Sequence, residues 1–144
     1  MGKSTFFWLD VTDWNQRDKL LSVRIPVFVD EQKVPIEEEI DTFDEVSTHV
    51  LISTADGVPV ATGRLKPNGW IGRMAVLKAY RSFGFGSAII KKLLHIAHQK
   101  GMTEVWLSAQ THAVPFYGKH GFKVKGDVYD DAGIPHVDMY LNLK

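Results

Sequence analysis

The chain of 144 residues contains no cysteine, and this absence removes several classes of protein from consideration. Without thiols there can be no disulfide framework, no zinc site built on thiolates and no cysteine nucleophile. A secreted scaffold held together by disulfides is therefore excluded, and a reducing compartment suits the chain. We expect a cytoplasmic protein.

Long apolar runs and net charge are also missing. The first apolar run, Phe6–Leu9, ends at Asp10, far short of the core of a signal peptide. No later stretch approaches the roughly 20 apolar residues that cross a bilayer, so we expect no membrane association. Lysine and arginine together number 17, as do aspartate and glutamate. Because its net charge is zero, the chain has no overall electrostatic field that would attract nucleic acid, so we expect no nucleic-acid partner.

The length and the apolar pattern predict one α/β domain over residues 1–144. Asp56-Gly57 is a hairpin-turn signal between two strand-like runs. An amphipathic helix is predicted over residues 87–100, where apolar side chains recur at helical spacing. The strand-like runs are residues 6–11, 49–53, 58–65, 70–77, 105–109 and 137–143.

The N-terminal third is predicted to be mostly helical. A helix should begin near Trp14, with Asp13 as its N-cap. Pro26 disfavours helix at the residue before it, so we expect a kink or break there and a bend over residues 30–35. The acidic run 37–39 is interpreted as a solvated face. The aromatic residues interpreted as core are Phe6, Phe7, Trp8 and Trp106.

The segment Arg81–Gly86 is typical of a loop that binds phosphate. It lies between an apolar strand and the amphipathic helix, and Gly84 and Gly86 let its backbone turn tightly. The helix that follows offers unpaired N–H groups and the positive end of its dipole to an anion, while Arg81 adds a positive charge. A tight turn with no ligand is the alternative interpretation.

At this point the chain resembles the GNAT superfamily of acyl-CoA N-acyltransferases. That family carries Arg/Gln-x-x-Gly-x-Gly/Ala after its fourth strand, which matches Arg81–Gly86, and Phe-Tyr-x-x-x-Gly-Phe after its fifth, which matches Phe116–Phe122. Residues 27–35, 39–41 and 132–139 resemble a bacterial subgroup of small, mostly uncharacterised members. The resemblance covers nearly the whole chain.

The resemblance implies both a fold and a reaction. The fold is a mixed, mostly antiparallel central sheet of about seven strands, flanked by about four helices and splayed between the fourth and fifth strands. The reaction is transfer of an acetyl group from acetyl-CoA to a primary amine of a small molecule, directly in a ternary complex and without a metal. Homodimers are common among relatives, although nothing in the sequence defines an interface.

The resemblance also implies the acetyl-CoA site. Backbone N–H groups of residues 83–87, with Arg81, would face the pyrophosphate, and strand residues 74–76 would pair with the pantetheine amides. The N–H of Val76 would polarise the thioester carbonyl. The residues expected to contact acetyl-CoA are Met74, Ala75, Val76, Arg81, Ser82, Phe83, Gly84, Phe85, Gly86, Ser87 and Phe116.

Tyr117 is expected to be the catalytic acid, because its phenol can give a proton to a departing thiolate. In the family the tyrosine at this position has that role. The alternative is a tyrosine whose ring packs under the cofactor and whose hydroxyl binds water. Many relatives carry asparagine near position 113, where this chain has Ala113, so only the backbone contacts there are expected.

The general base is left open by the sequence. Several relatives use a glutamate on the fourth strand, but residues 71–76 contain no carboxylate. Glu31 is the first candidate, in the bend that forms a substrate wall in the family. His49 and His136 are also candidates, since histidine exchanges protons near neutral pH. A water relay with no dedicated base is the remaining alternative.

The acceptor site is expected to contain charged residues. Arg24, Arg64 and Arg73 lie where the acceptor cleft of the family would form, and convergence of two of them would favour a carboxylate or phosphate on the acceptor. His95 and His98 share a helix at three-residue spacing, but no carboxylate completes a metal site. The residues expected to bind the acceptor are Arg24, Glu31, His49, Arg73 and His136.

Two other functions compete with acetyl transfer. One is a non-catalytic acyl-CoA-binding regulatory domain, which would explain the missing strand carboxylate. The other is a nucleotide-binding module, but no Gly-Lys-Ser/Thr follows the loop.

Overall fold

The computed structural model describes residues 6–144, and within them seven strands form one sheet. The first five residues of the predicted domain lie outside this range. The strands are β1 (Phe7–Thr12), β2 (Thr48–Thr54), β3 (Pro59–Leu65), β4 (Trp70–Val76), β5 (Glu104–Gln110), β6 (Lys123–Asp131) and β7 (Ile134–Asn142). Their order is β1-β2-β3-β4-β5-β7-β6, with every pair antiparallel except β4 and β5. The mixed, mostly antiparallel sheet is confirmed.

Four α-helices flank the sheet within residues 6–144, as expected. They are α1 (Arg17–Arg24), α2 (Ile36–Glu39), α3 (Phe85–Gln99) and α4 (Val114–Lys119). In the same range no helix is both long enough and apolar enough to cross a membrane.

The start of the helical third is as predicted, but its end is not. Asp13 Oδ1 accepts a hydrogen bond from Asn15 N at 2.9 Å and caps a short 3₁₀ turn before α1. Instead of breaking at Pro26, the chain continues as a π-helix over Ile25–Glu31. Proline lacks an N–H donor, and the wider turn accommodates that gap without ending the helix. The expected bend therefore begins only at Gln32, whose N–H still bonds to Val27 O at 3.1 Å.

Helices cover both faces of the sheet. On one face, which we call the α3 face, Ile89 belongs to the same buried cluster as Leu107 of β5. On the other, which we call the α1 face, Val23 and Val27 pack with Ala75 of β4. Because successive side chains of a strand point to opposite faces, a strand such as β4 contributes to both layers, with Ile71 on the α3 face and Ala75 on the α1 face.

Two of the aromatic residues predicted for the core are exposed. Phe6 and Trp8 are 73% and 61% exposed, because β1 is an edge strand and α1 packs on β3 and β4 instead. Phe7 does pack against the core, with its ring 4.7 Å from that of Phe85. The half-buried Trp106 stacks on Trp70 at 5.7 Å.

A cleft opens between β4 and β5 because these strands pair over only two positions. Trp70 lies opposite Trp106 and Ile71 opposite Leu107, and beyond them the strands separate. The expected splay is confirmed. A bulge in β4 accompanies it, since Arg73 adopts a left-handed conformation with φ of 51°.

Gly63 of β3 lies opposite this bulge and has no room for a side chain. A Cβ there would lie 2.6 Å from Ile89 Cγ2 and 2.7 Å from Met74 Sδ. The bulge changes the alternation of side chains along β4. Met74 therefore contacts the core of the α3 face, while Arg73 lies on the α1 face and donates hydrogen bonds to Glu39 O and Asp41 Oδ2.

Candidate active site

A cavity of about 940 Å³ occupies the splay between β4 and β5. It is lined from both faces of the sheet. From the α3 face come α4 residues Phe116 and Tyr117, and from the α1 face come Arg73 and the hairpin between β6 and β7. Of the expected site residues, those lining it are Glu31, Met74, Ala75, Val76, Arg73, Arg81, Phe116, Tyr117 and His136. The rest of the glycine loop, residues 82–87, does not line it.

The glycine loop has the shape of an anion-binding turn. Ser82 and Gly84 adopt left-handed conformations with φ of 78° and 81°, and Gly84 immediately precedes α3. The first N–H groups of α3, from residue 85 onward, have no carbonyl before them within the helix. A Cβ on Gly86 would lie 3.2 Å from Phe116 Cζ, so glycine allows α3 and α4 to approach closely.

Arg81 connects the end of β4 to the π-helix across the cavity. Its Nε donates to Val76 O at 2.9 Å, and its Nη2 donates to both carboxylate oxygens of Glu31 at 2.8 and 3.0 Å. The two side chains are 43% and 36% exposed. Glu31 therefore lies at the cavity as expected, but its carboxylate is occupied by Arg81 and is poorly placed to accept a proton.

Tyr117 lines the cavity from α4. Pro115 occupies the first turn of this helix, where the missing N–H costs nothing, and Gly121 follows its end with φ of 94°. The Tyr117 ring lies 5.0 Å from that of Phe116 and 6.0 Å from that of Phe122. Burial raises the pKa of the Tyr117 phenol to about 12, so the hydroxyl keeps its proton at neutral pH.

Arg24 is buried beneath the α1 face. Its Nε lies 2.6 Å from Glu39 Oε2 and its Nη1 lies 2.8 Å from Asp44 Oδ1. The Arg24 side chain is 0% exposed and does not line the cavity. This corrects its expected place at the acceptor: the guanidinium holds α1 to Glu39, the last residue of α2, and to Asp44 in the segment after it. Glu39, expected on a solvated face, is 2% exposed for the same reason.

Arg64 and Arg73 converge on the cavity, but carboxylates accompany them. Arg64 Nη1 lies 2.8 Å from Asp41 Oδ1 and 2.9 Å from Asp44 Oδ1. Arg73 Nη2 lies 3.2 Å from Asp41 Oδ2, and its Nε lies 3.3 Å from Glu39 Oε2. Three arginines, counting Arg24, are thus balanced by three carboxylates. Their convergence no longer favours an acidic acceptor, because their charge is already neutralised.

His49 is part of this buried region. It is 1% exposed, its Nε2 lies 3.0 Å from Asp44 O, and its ring lies 5.6 Å from that of Trp14. Burial lowers the pKa of the imidazole. Since His49 does not line the cavity, its expected place at the acceptor is also corrected.

His136 lies on β7 and lines the cavity from the α1 face. Its Nδ1 is 2.7 Å from Ile134 O, and its ring stacks on that of Tyr129 at 6.2 Å. It is paired in register with Gln110, the last residue of β5, where the splay is wide.

Sequence reasoning missed Asp41, Asp44 and the role of Glu39. One signal could have indicated them. Arg24 follows the apolar residues of a predicted helix, and Arg64 and Arg73 lie in strand-like runs, where a buried arginine needs a carboxylate partner. The acidic segment from residue 37 to residue 45 was the nearest supply. Among residues 6–144, no group of histidine and carboxylate side chains is arranged to hold a metal.

Comparisons with known proteins agree with this geometry. Residues 22–143 match the model of the acetyltransferase (GNAT) domain family. The chain is 45% identical over 121 residues to a Bacillus subtilis protein named uncharacterized N-acetyltransferase YjcF, covering 81% of this chain and 86% of that one.

Two solved structures superpose on nearly the full chain. An acyl-CoA N-acyltransferase from Pseudomonas aeruginosa has a TM-score of 0.85 and 31% identity, covering 94% of this chain and 99% of its own. Escherichia coli ElaA has a TM-score of 0.82 and 29% identity, with the same coverage of 94% and 99%.

Proposed function

Because the chain belongs to the GNAT acetyltransferase family, we propose that it transfers an acetyl group from acetyl-CoA to a primary amine of a small molecule. The observation that carries the proposal is the cavity in the splay. It joins the two faces of the sheet, so that two substrates entering from opposite sides can meet there. Direct transfer in a ternary complex suits this arrangement, and a cysteinyl intermediate is excluded because the chain has no cysteine.

The residues present fit acetyl-CoA. The glycine loop with its left-handed Gly84 and the N-terminus of α3 would hold the pyrophosphate, together with Arg81 Nη1, which makes no hydrogen bond within residues 6–144. Beyond Ile71, β4 is no longer paired with β5, so the backbone groups of residues 74–76 that face away from β3 could hydrogen-bond the amides of the pantetheine arm, apart from Val76 O, which accepts from Arg81 Nε. Phe116 would pack beside that arm. When bound, acetyl-CoA supplies an activated acyl thioester.

Tyr117 would act on the leaving group. Its hydroxyl remains protonated at neutral pH, since burial raises its pKa to about 12. A hydrogen bond from that hydroxyl to the departing sulfur would stabilise the charge that develops there, and the proton would pass to the sulfur as the bond breaks.

The test is release of free thiol from acetyl-CoA across a panel of amino sugars, polyamines, amino acids and short peptides. We expect release that depends on one class of amine and falls about 100-fold in Tyr117→Phe. Tyr140→Phe is the matched control, since this tyrosine packs against Trp106 with ring centroids 5.3 Å apart and does not line the cavity. No release with any amine, despite tight binding of coenzyme A, would favour a regulatory acyl-CoA-binding domain instead.

A further inference from the structure

The hydrogen bonding of His136 defines which of its ring nitrogens can accept a proton. Its Nδ1 lies 2.7 Å from Ile134 O, and a carbonyl oxygen can only accept. Nδ1 therefore carries the hydrogen of the neutral ring and donates it to Ile134 O. Nε2 is left with a lone pair, on a side chain that lines the cavity.

Neighbouring side chains fix the orientation of the ring. The Tyr129 ring stacks on His136 with an interplanar angle of 23°. The Tyr129 hydroxyl donates to Asp138 Oδ1 at 2.6 Å and also contacts Ser108 Oγ. Asp138 and Ser108 are opposite each other on β7 and β5, so the stacking partner of His136 is held by two strands of the sheet. An imidazole held in this way needs little reorganisation before it accepts a proton.

Four carboxylates line the cavity, those of Glu31, Glu38, Glu39 and Asp131. Within residues 6–144, Glu38 and Asp131 lack a hydrogen bond that would orient their carboxylates as the bond to Ile134 O orients the ring of His136. The other two carboxylates are held by arginines. Glu31 is bonded through both oxygens to Arg81. Glu39 is paired with Arg24 and Arg73, so protonating it would leave buried guanidinium groups without their partner.

His136 and Tyr117 also lie on opposite sides of the sheet. Leu107 and Met139 are in register on β5 and β7 and belong to the core of the α3 face, against which Tyr117 packs. Side chains alternate along a strand, so His136, three residues before Met139, points to the α1 face. An acid and a base placed on either side of the splay can serve the leaving group and the attacking group separately.

We propose that His136 is the general base, taking a proton from the acceptor amine through Nε2. The inference rests on the proposed acetyltransferase function and assigns the proton acceptor that the sequence left open. It places the amine at the α1 face of the cavity, beside His136.

The proton and electron balance of the step is simple. The amine nitrogen gives a proton to Nε2 of His136 and uses its lone pair to form the C–N bond to the acyl carbon. The C–S bond breaks with its electron pair going to sulfur, and Tyr117 supplies the proton that sulfur takes. Solvent then returns the proton from His136 to Tyr117, so that the protein is unchanged after each turnover.

The first test needs no turnover. Nitrogen-15 NMR correlation spectra of the free protein distinguish the two neutral tautomers of a histidine, and His136→Gln assigns the signal. We expect His136 to be protonated on Nδ1 with Nε2 bare. A neutral ring protonated on Nε2 would overturn the proposal, because its lone pair would then be on Nδ1, which faces Ile134 O.

The second test compares thiol release by His136→Ala with that by the wild type, after thermal unfolding has shown that the variant is folded. We expect a loss of roughly 100-fold in kcat/KM, partly restored by added imidazole. His98→Ala is the matched control, since His98 is exposed on α3 and lies outside the cavity.

The outcomes separate the two proposals. If the wild type releases thiol and His136→Ala stays within about threefold of it, or if imidazole does not restore the lost activity, the assignment of His136 fails while the acetyltransferase function stands. If the wild type releases no thiol with any amine, both fail.

Discussion

The substitution Asp44→Asn should destabilise the fold strongly, although the two side chains differ in only one heavy atom. Asp44 is fully buried, and Asp44 Oδ1 accepts from Nη1 of both Arg24 and Arg64, at 2.8 and 2.9 Å. Its Oδ2 accepts from Arg24 Nη2 and from the backbone N–H of Asp41, each at 3.2 Å. Every neighbour is a donor, so whichever oxygen becomes an NH₂ group loses two hydrogen bonds and faces donors.

The expected magnitude follows from the charges left behind. Asp44→Asn removes one negative charge from a buried set of three arginines and three carboxylates. Removing one partner of a buried ion pair typically costs about 3–5 kcal/mol. A domain of this size has a total stability of about 5–15 kcal/mol, so the variant should lose a large share of it.

Urea unfolding at neutral pH, followed by tryptophan fluorescence, measures this loss directly. Asp56→Asn is the matched control: Asp56 is exposed, and Asn-Gly makes as good a hairpin turn as Asp-Gly. We expect the control to remain within about 0.5 kcal/mol of the wild type. A loss of less than about 1 kcal/mol in Asp44→Asn would refute the reasoning, since it would mean that the buried charges need no compensation.

The same comparison has a defined pH dependence. Burial alone would raise the pKa of Asp44, but hydrogen bonds and charge from Arg24 and Arg64 outweigh it and lower that pKa below 3.8. The ionised carboxylate therefore contributes stability above pH 3.8, and this contribution is lost as the pH falls through the lower pKa of the folded state. The difference in stability between wild type and Asp44→Asn should be constant near neutral pH and shrink below about pH 3.8.

Three further predictions concern the cleft. Gly63→Ala should lower the free energy of unfolding, measured in urea, by about 1–3 kcal/mol, because the new Cβ would lie 2.6 Å from a core methyl. Gly118→Ala is the control and should not lower that free energy, since the space around Gly118 is open. Absorbance titration should show one phenol fewer ionising near pH 12 in Tyr117→Phe than in wild type, and a difference near pH 10 would contradict the burial of Tyr117. Arg81→Ala should change stability by less than about 1 kcal/mol, since its ion pair is exposed, yet raise the Kd of coenzyme A by roughly tenfold in calorimetry; unchanged affinity would remove Arg81 from the site.

Local signals in the sequence were sufficient for the elements that frame the site. The Asp56-Gly57 signal predicted the hairpin of β2 and β3, in which Gly57 has a φ of 86°. The helical spacing of apolar residues predicted α3. The glycine loop before α3 also follows from residue types alone, since positive φ at Gly84 is what glycine permits. These features depend on neighbours a few residues apart.

Long-range pairing was not predictable in the same way. The contacts of Arg24 with Asp44 and of Arg64 with Asp41 join residues 20 and 23 positions apart, and no periodic pattern encodes them. The bulge at Arg73 depends on Gly63 of the adjacent strand. The exposure of Trp8 depends on which strands α1 covers, a property of tertiary packing that composition does not reveal.

Detection of the acetylated amine by mass spectrometry shows whether an acetyl group is transferred in the cleft between β4 and β5. Purified protein, acetyl-CoA and the amine that promotes thiol release should give a product heavier by one acetyl group, formed in proportion to the thiol and lost in Tyr117→Phe. Thiol release without an acetylated amine, or coenzyme A binding with neither product, would contradict the account.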